Sequence, residues 1–186
     1  KNYALHCLDV EGVRLQTPKI KIMGMSAVKS STPSMVRPLL TDAIQILLTG
    51  TQDELWTFVE RAWESFRSAS FENVAFPRSV NGLVEYADAE KSIPIAVRAA
   101  LLYNRLIQDH PQFDAIRDGQ KIKFCYIRVP NRYQSNVIAA PGGCPAEWKI
   151  ETLIDYHVMW EKAFLESLRE LVAHVGWTPQ PEATLF

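Results

Sequence analysis

Six cations fall within the first 37 residues: Lys1, Arg14, Lys19, Lys21, Lys29 and Arg37, against only Asp9 and Glu11. This local excess of +4 sits on a body of fourteen basic and nineteen acidic residues. Hydroxyl groups stand among them at Tyr3, Ser30, Ser31 and Thr32. Mobile ammonium charges and short hydroxyl donors are the groups that neutralise and hydrogen-bond phosphates. The chemistry implied is therefore capture of an anionic partner on one side of the molecule, with nucleic acid first among candidates. A solvated basic edge accounts for the same charges.

The rest of the chain offers little to catalysis. Cys7, Cys125 and Cys144 are scattered and form no CxxC pair, so neither a disulfide framework nor a zinc site is indicated, and a reduced compartment fits. His6, His110, His157 and His174 have no metal-ligand spacing, and His157 reads as a packing residue on a helix. The tryptophans read as core or rim rather than as stacking platforms. No apolar run approaches the roughly 18–20 residues that a membrane span needs, so no membrane partner is expected.

The elements that must position the cations follow from periodicity. Tyr3 to Leu8 and Lys19 to Met23 read as strands around a Glu11-Gly12 turn. Ile20 and Ile22 then face a core, while Lys19 and Lys21 face away, because strand side chains alternate. Thr32-Pro33 reads as an N-cap and first helical residue. The stripe Val36, Leu39, Leu40, Ala43, Ile44, Leu47 and Leu48 continues that helix to Gly50. Thr51-Gln52-Asp53-Glu54 is a capping box for a second helix that buries Leu55, Phe58, Val59, Ala62 and Phe66. The two helices form an antiparallel hairpin. Residues 70–93 read as irregular, with Arg78-Ser79-Val80-Asn81 as a loop that would reach an anionic partner. A third helix runs from Pro94 to Gln108 and places Arg98 and Arg105 two turns apart on one face. Lys121 to Val129 and Val137 to Ala139 pair as strands. A long helix fills Glu147 to His174, and Gly176 stops it. The fold class is α+β: a small sheet and a helix-rich body preceded by terminal strands.

In their order along the chain, several segments resemble one family. Lys1-Asn2-Tyr3, Asp9-Val10-Glu11-Gly12, Pro18-Lys19-Ile20-Lys21-Ile22-Met23-Gly24 and Lys29-Ser30-Ser31-Thr32-Pro33 carry the resemblance most specifically. Arg98, Leu102-Tyr103-Asn104-Arg105, Gly119-Gln120-Lys121-Ile122, Asp155-Tyr156 and Glu161-Lys162 extend it. Together they resemble the C-terminal part of family B DNA polymerases, specifically the replicative enzymes of T-even-like phages. Residues 68–95 and 109–118 depart from that pattern, and no role is carried over there.

The resemblance implies that residues 1–24 are the last strands of a palm, 25–176 a thumb, and 177–186 an extended tail. Lys1 and Tyr3 match the family's K-x-Y motif at the primer end, and Lys29 a lysine that faces the minor groove. Lys21, Ser30, Ser31, Arg98 and Arg105 join them as DNA contacts, from the properties of the residues. Leu185 and Phe186 resemble the start of a clamp-docking peptide; the sequence stops there, so clamp binding is expected to be weak or absent. The implied function is to grip primer–template duplex and support processive replication as part of a DNA-directed DNA polymerase. The implied partners are primer–template DNA, the sliding clamp and the remaining palm, fingers and exonuclease. The two Mg²⁺ ions of the parent enzyme would be held by palm aspartates upstream of the K-x-Y motif, so this chain is expected to bind no cofactor and to be inactive alone. The sequence opens on Lys rather than Met, within a motif, and is expected to be a piece of a longer protein, in the cytoplasm of a phage-infected bacterium. The alternative is a stand-alone double-stranded DNA-binding or clamp-interacting accessory protein.

Overall fold

The computed structural model describes residues 2–87, 92–142 and 145–180. Lys1, Cys144, Leu185 and Phe186 lie outside the described residues. The chain divides into two compact units, one of residues 1–68 and 160–186, the other of residues 69–159.

The first unit opens with a hairpin of β1 (Tyr3–Val10) and β2 (Val13–Met23). Glu11 and Gly12 both take positive φ, 54° and 80°, and close it as a two-residue turn whose twist suits paired strands. Tyr3 faces Met23, Leu5 faces Lys21 and Cys7 faces Lys19, so these six share one face. Ala4 with Ile22 and His6 with Ile20 form the other. The alternation expected from the sequence holds, but Ile20 and Ile22 are half-buried rather than core. Leu5, Leu8, Val10, Val13 and Met23 are exposed.

A short 3-10 turn (Ser26–Val28) leads to α1 (Val36–Thr49) and α2 (Gln52–Phe66). Thr32 and Pro33 lie in a turn ahead of α1, not at its cap. Pro38 is the reason. As the third residue of α1 its missing N–H costs nothing, whereas a helix begun at Pro33 would bury that proline in its interior. Gly50 ends α1, and the capping box forms: the Thr51 N–H donates to Glu54 Oε2 at 2.8 Å, and the Glu54 N–H to Thr51 Oγ1 at 3.3 Å. Val36, Leu40, Ala43 and Ile44 of α1 and Leu55, Val59, Ala62 and Phe66 of α2 are buried; Phe58 is only half-buried.

The second unit is built on an antiparallel sheet of three strands in the order β3 (Phe76–Ser79), β4 (Lys121–Tyr126) and β5 (Val137–Ala139). The stretch expected to be irregular contains α3 (Phe71–Val74), β3 and α4 (Leu83–Tyr86). Arg78 and Ser79 are therefore strand residues paired with Ile122 and Lys121, and Val80 is buried; they do not form a reaching loop. Helix α5 (Ile95–Leu106) packs on β4 and β5 through Ala96, Val97, Ala99, Ala100, Leu102 and Tyr103. Asn104 clamps a loop twelve residues on: its Nδ2 donates to the Ile116 carbonyl at 2.8 Å, and the Ile116 N–H donates to its Oδ1 at 2.7 Å. Cys125 is buried, and that burial pushes its thiol well above the ordinary value.

The long helix expected over 147–174 is interrupted. It is resolved into α6 (Ile150–Leu153), α7 (Tyr156–Trp160), a π-helical turn (Glu161–Leu165) and α8 (Glu166–Ala173). Ile154 leaves the helix to bridge Ile127 beside the sheet, and Asp155 restarts it by accepting the Val158 N–H at 3.1 Å. His157 is exposed rather than packed. Within the first unit the wide π turn keeps Trp160, Phe164, Leu168 and Val172, each four residues apart, on one buried face. Trp160 stacks on Phe164 with ring centroids 4.2 Å apart and lies 5.0 Å from the Phe66 ring. Gly176, at φ 71°, ends the run: the Trp177 N–H reaches the Val172 carbonyl at 3.1 Å.

Candidate nucleic-acid interface

In the first unit the candidate cations ride on open faces. Lys21 is exposed on the hairpin face that also carries Tyr3. Lys29 closes the 3-10 turn and is exposed. That turn is fastened at Ser26. Its carbonyl accepts the Thr32 hydroxyl at 2.7 Å and the Lys29 N–H at 3.3 Å, and its own hydroxyl accepts that of Ser167 at 3.0 Å. Lys29 and Asn2 line the same small cavity of about 170 Å³. Glu170 of α8 and His174, which caps that helix, line it too. Sequence reading missed these two, because nothing in their local pattern points to a segment some 140 residues earlier.

Ser30 is exposed and Ser31 half-buried, and both precede α1 by a full turn of chain. Thr32 is buried and donates its hydroxyl within the fold, so it is spent on structure.

In the second unit Arg98 and Arg105 of α5 come together on one cleft of about 550 Å³. Arg98 Nη2 donates to Asn136 Oδ1 at 2.8 Å, which holds the guanidinium against the facing loop. Arg105 is exposed and has no ion pair among the described residues. The loop wall supplies Tyr133, Gln134 and Ser135, which the sequence reading did not single out.

Other cations are committed within the protein. Arg169 forms a two-point pair with Glu161 across the π turn, Nη2 lying 2.9 Å from Oε2. The hydrogen bond from Arg169 holds the Glu161 carboxyl below its ordinary value, and the same bond raises the guanidinium. Lys123 pairs with Glu72, and Lys162 with Glu166 at 3.5 Å. Among the described residues no three His, Cys, Asp or Glu side chains converge as metal ligands. Likewise, no described helix is long and apolar enough to cross a membrane.

No protein-family model matches the chain. It is 29% identical over 193 aligned residues to the DNA-directed DNA polymerase of Escherichia phage RB69. It is 27% identical over 192 residues to the DNA-directed DNA polymerase of Enterobacteria phage T4. Both matches cover the whole of this chain and 21% of the relative, so the chain spans about a fifth of the length of these polymerases. The similarity to phage polymerases read from the ordered motifs is thus found along the entire chain.

Proposed function

We propose that this chain is the C-terminal part of a phage replicative DNA polymerase of family B: the last palm strands, the thumb and the start of a clamp-docking tail. Its role is to hold newly made primer–template duplex without reading sequence, through phosphates and through the minor-groove acceptors that all base pairs share. The observation that carries this reading is the meeting of Lys29 and Asn2 at one cavity. Two motif segments separated by a hairpin converge there, over a chain that matches two phage polymerases from end to end. Lys21, exposed on the face it shares with Tyr3, lies on the same hairpin.

Catalysis then belongs to the parent enzyme, whose two Mg²⁺ ions would be held by aspartates outside this chain. The chain works with the remaining palm, fingers and exonuclease, in the cytoplasm of an infected bacterium, and any contact of its tail with the sliding clamp is weak. Complementation tests this. Mixed with a separately expressed exonuclease-and-palm portion of a T-even-like polymerase, the chain should restore primer extension that neither part shows alone. Failure to assemble, with duplex binding retained, would favour the stand-alone DNA-binding alternative. Neither assembly nor DNA binding would end both.

A further inference from the structure

The cleft on α5 has a chemistry that duplex grip does not use. Arg98 and Arg105 stand two helical turns apart, about 10 Å along the axis, with Leu101 and Leu102 in the lining between them. The opposite wall carries Gln134 and Ser135, and Gln108 lies in the 3-10 turn (Ile107–Asp109) that follows α5. Among the described lining residues there is no carboxylate. The described lining thus offers two guanidinium groups at the rim, an apolar floor and amides that both donate and accept hydrogen bonds.

We propose that this cleft is a subsite for an unpaired stretch of DNA. A duplex keeps its base faces in the stack and would meet only the two guanidinium groups. An unpaired nucleotide uses the whole cleft: phosphates on the arginines, a base face on the apolar floor, and base edges on Gln108 and Gln134. The inference rests on the nucleic-acid reading above and adds a second class of ligand to it.

The facing wall is built in advance of any ligand. Asn131 Nδ2 donates to the carbonyls of Arg128 and Ser135, at 2.6 and 2.7 Å, and its Oδ1 accepts the Tyr133 N–H at 2.9 Å. Arg132 lies over the Tyr133 ring at 4.8 Å and donates to the Trp148 carbonyl at 3.0 Å. These bonds present Gln134 at φ 51°, a conformation that costs a side-chain-bearing residue energy and that the loop nonetheless holds.

The test is fluorescence anisotropy at low salt on the whole chain, with two labelled probes: an oligothymidylate of about a dozen nucleotides, and a blunt duplex of mixed sequence. Arg105→Ala should weaken oligothymidylate binding about tenfold and duplex binding less than about twofold. Gln134→Gly provides a second variant, since glycine accepts the positive φ and keeps the loop; it should weaken oligothymidylate alone. Equal losses on both probes would make Arg105 an ordinary duplex contact and overturn the subsite. An unchanged oligothymidylate affinity in both variants would overturn it as well, leaving the duplex reading intact. Binding to neither probe by the parent chain would remove both readings.

Discussion

The hydroxyl of Thr32 reaches back six residues to the carbonyl of Ser26, 2.7 Å away, and fastens the turn on which Lys29 sits. A buried side chain thus sets the position of an exposed charge. Thr32→Val should cost about 1–2 kcal/mol, because the hydroxyl is lost and the Ser26 carbonyl is left with the longer Lys29 bond. Thr32→Ser should recover most of it. Denaturant unfolding monitored by tryptophan fluorescence reads this directly. Equal stability in the valine variant would show that the bond contributes nothing.

Lys29 itself is expected to matter for affinity and not for folding. Lys29→Ala should lower the slope of log K against log salt for primer–template binding by about one unit. Its melting temperature should stay close to that of the parent, as is usual for an exposed position away from caps and cores. A large loss of melting temperature would reassign the residue to structure.

How much of this was legible beforehand depends on how local the cause is. The Thr51–Glu54 capping box and the Gly50 stop are chemistry between neighbours, and both were readable as such. The pairing of β4 with β5 was readable from one alternating run and a short apolar one. Thr32-Pro33 was misread because its pattern fits a cap, while Pro38, five residues on, decides where α1 can begin. The break at Ile154 was hidden because its cause is Ile127, in another element. The two arginines of α5 could be placed on one face by counting, but Gln134 opposite them depends on folding the 131–136 loop back.

Asn104 is a similar long-range device and should be costly to remove. Asn104→Ala deletes both bonds to the Ile116 backbone and leaves the N–H and C=O of a buried residue without them. The expected loss is about 2–3 kcal/mol. Hydrogen exchange of the Ile116 amide should accelerate more than that of the β1–β2 hairpin. Uniform acceleration across the chain would argue against a local clamp.

The Glu161–Arg169 pair carries a pH signature. The fold holds Glu161 below its ordinary value, so the pair's contribution is whole above about pH 4.3 and is lost as pH falls through the depressed value. Both side chains are substantially exposed, at 42% and 48%, so the contribution is small, about 0.5 kcal/mol after screening. Melting curves of the parent and Glu161→Gln should differ slightly at neutral pH and converge in acid. A constant gap down to low pH would mean that the glutamine disturbs packing instead.

The β1–β2 ribbon has a further consequence, for handling the protein. Each of its two strands has one side unpaired within the two-stranded sheet, and Leu5, Leu8 and Val13 stand exposed along it. Such a ribbon is a template onto which another strand can add, for instance from a second copy of the chain. Pro18, Lys19 and Lys21 crowd the β2 side with a missing N–H and two charges, the means by which natural edges resist self-association. The lysines suited to phosphate are thus also the residues that keep the ribbon from pairing with itself, and neutralising them together should produce insoluble chain before it produces weak DNA binding.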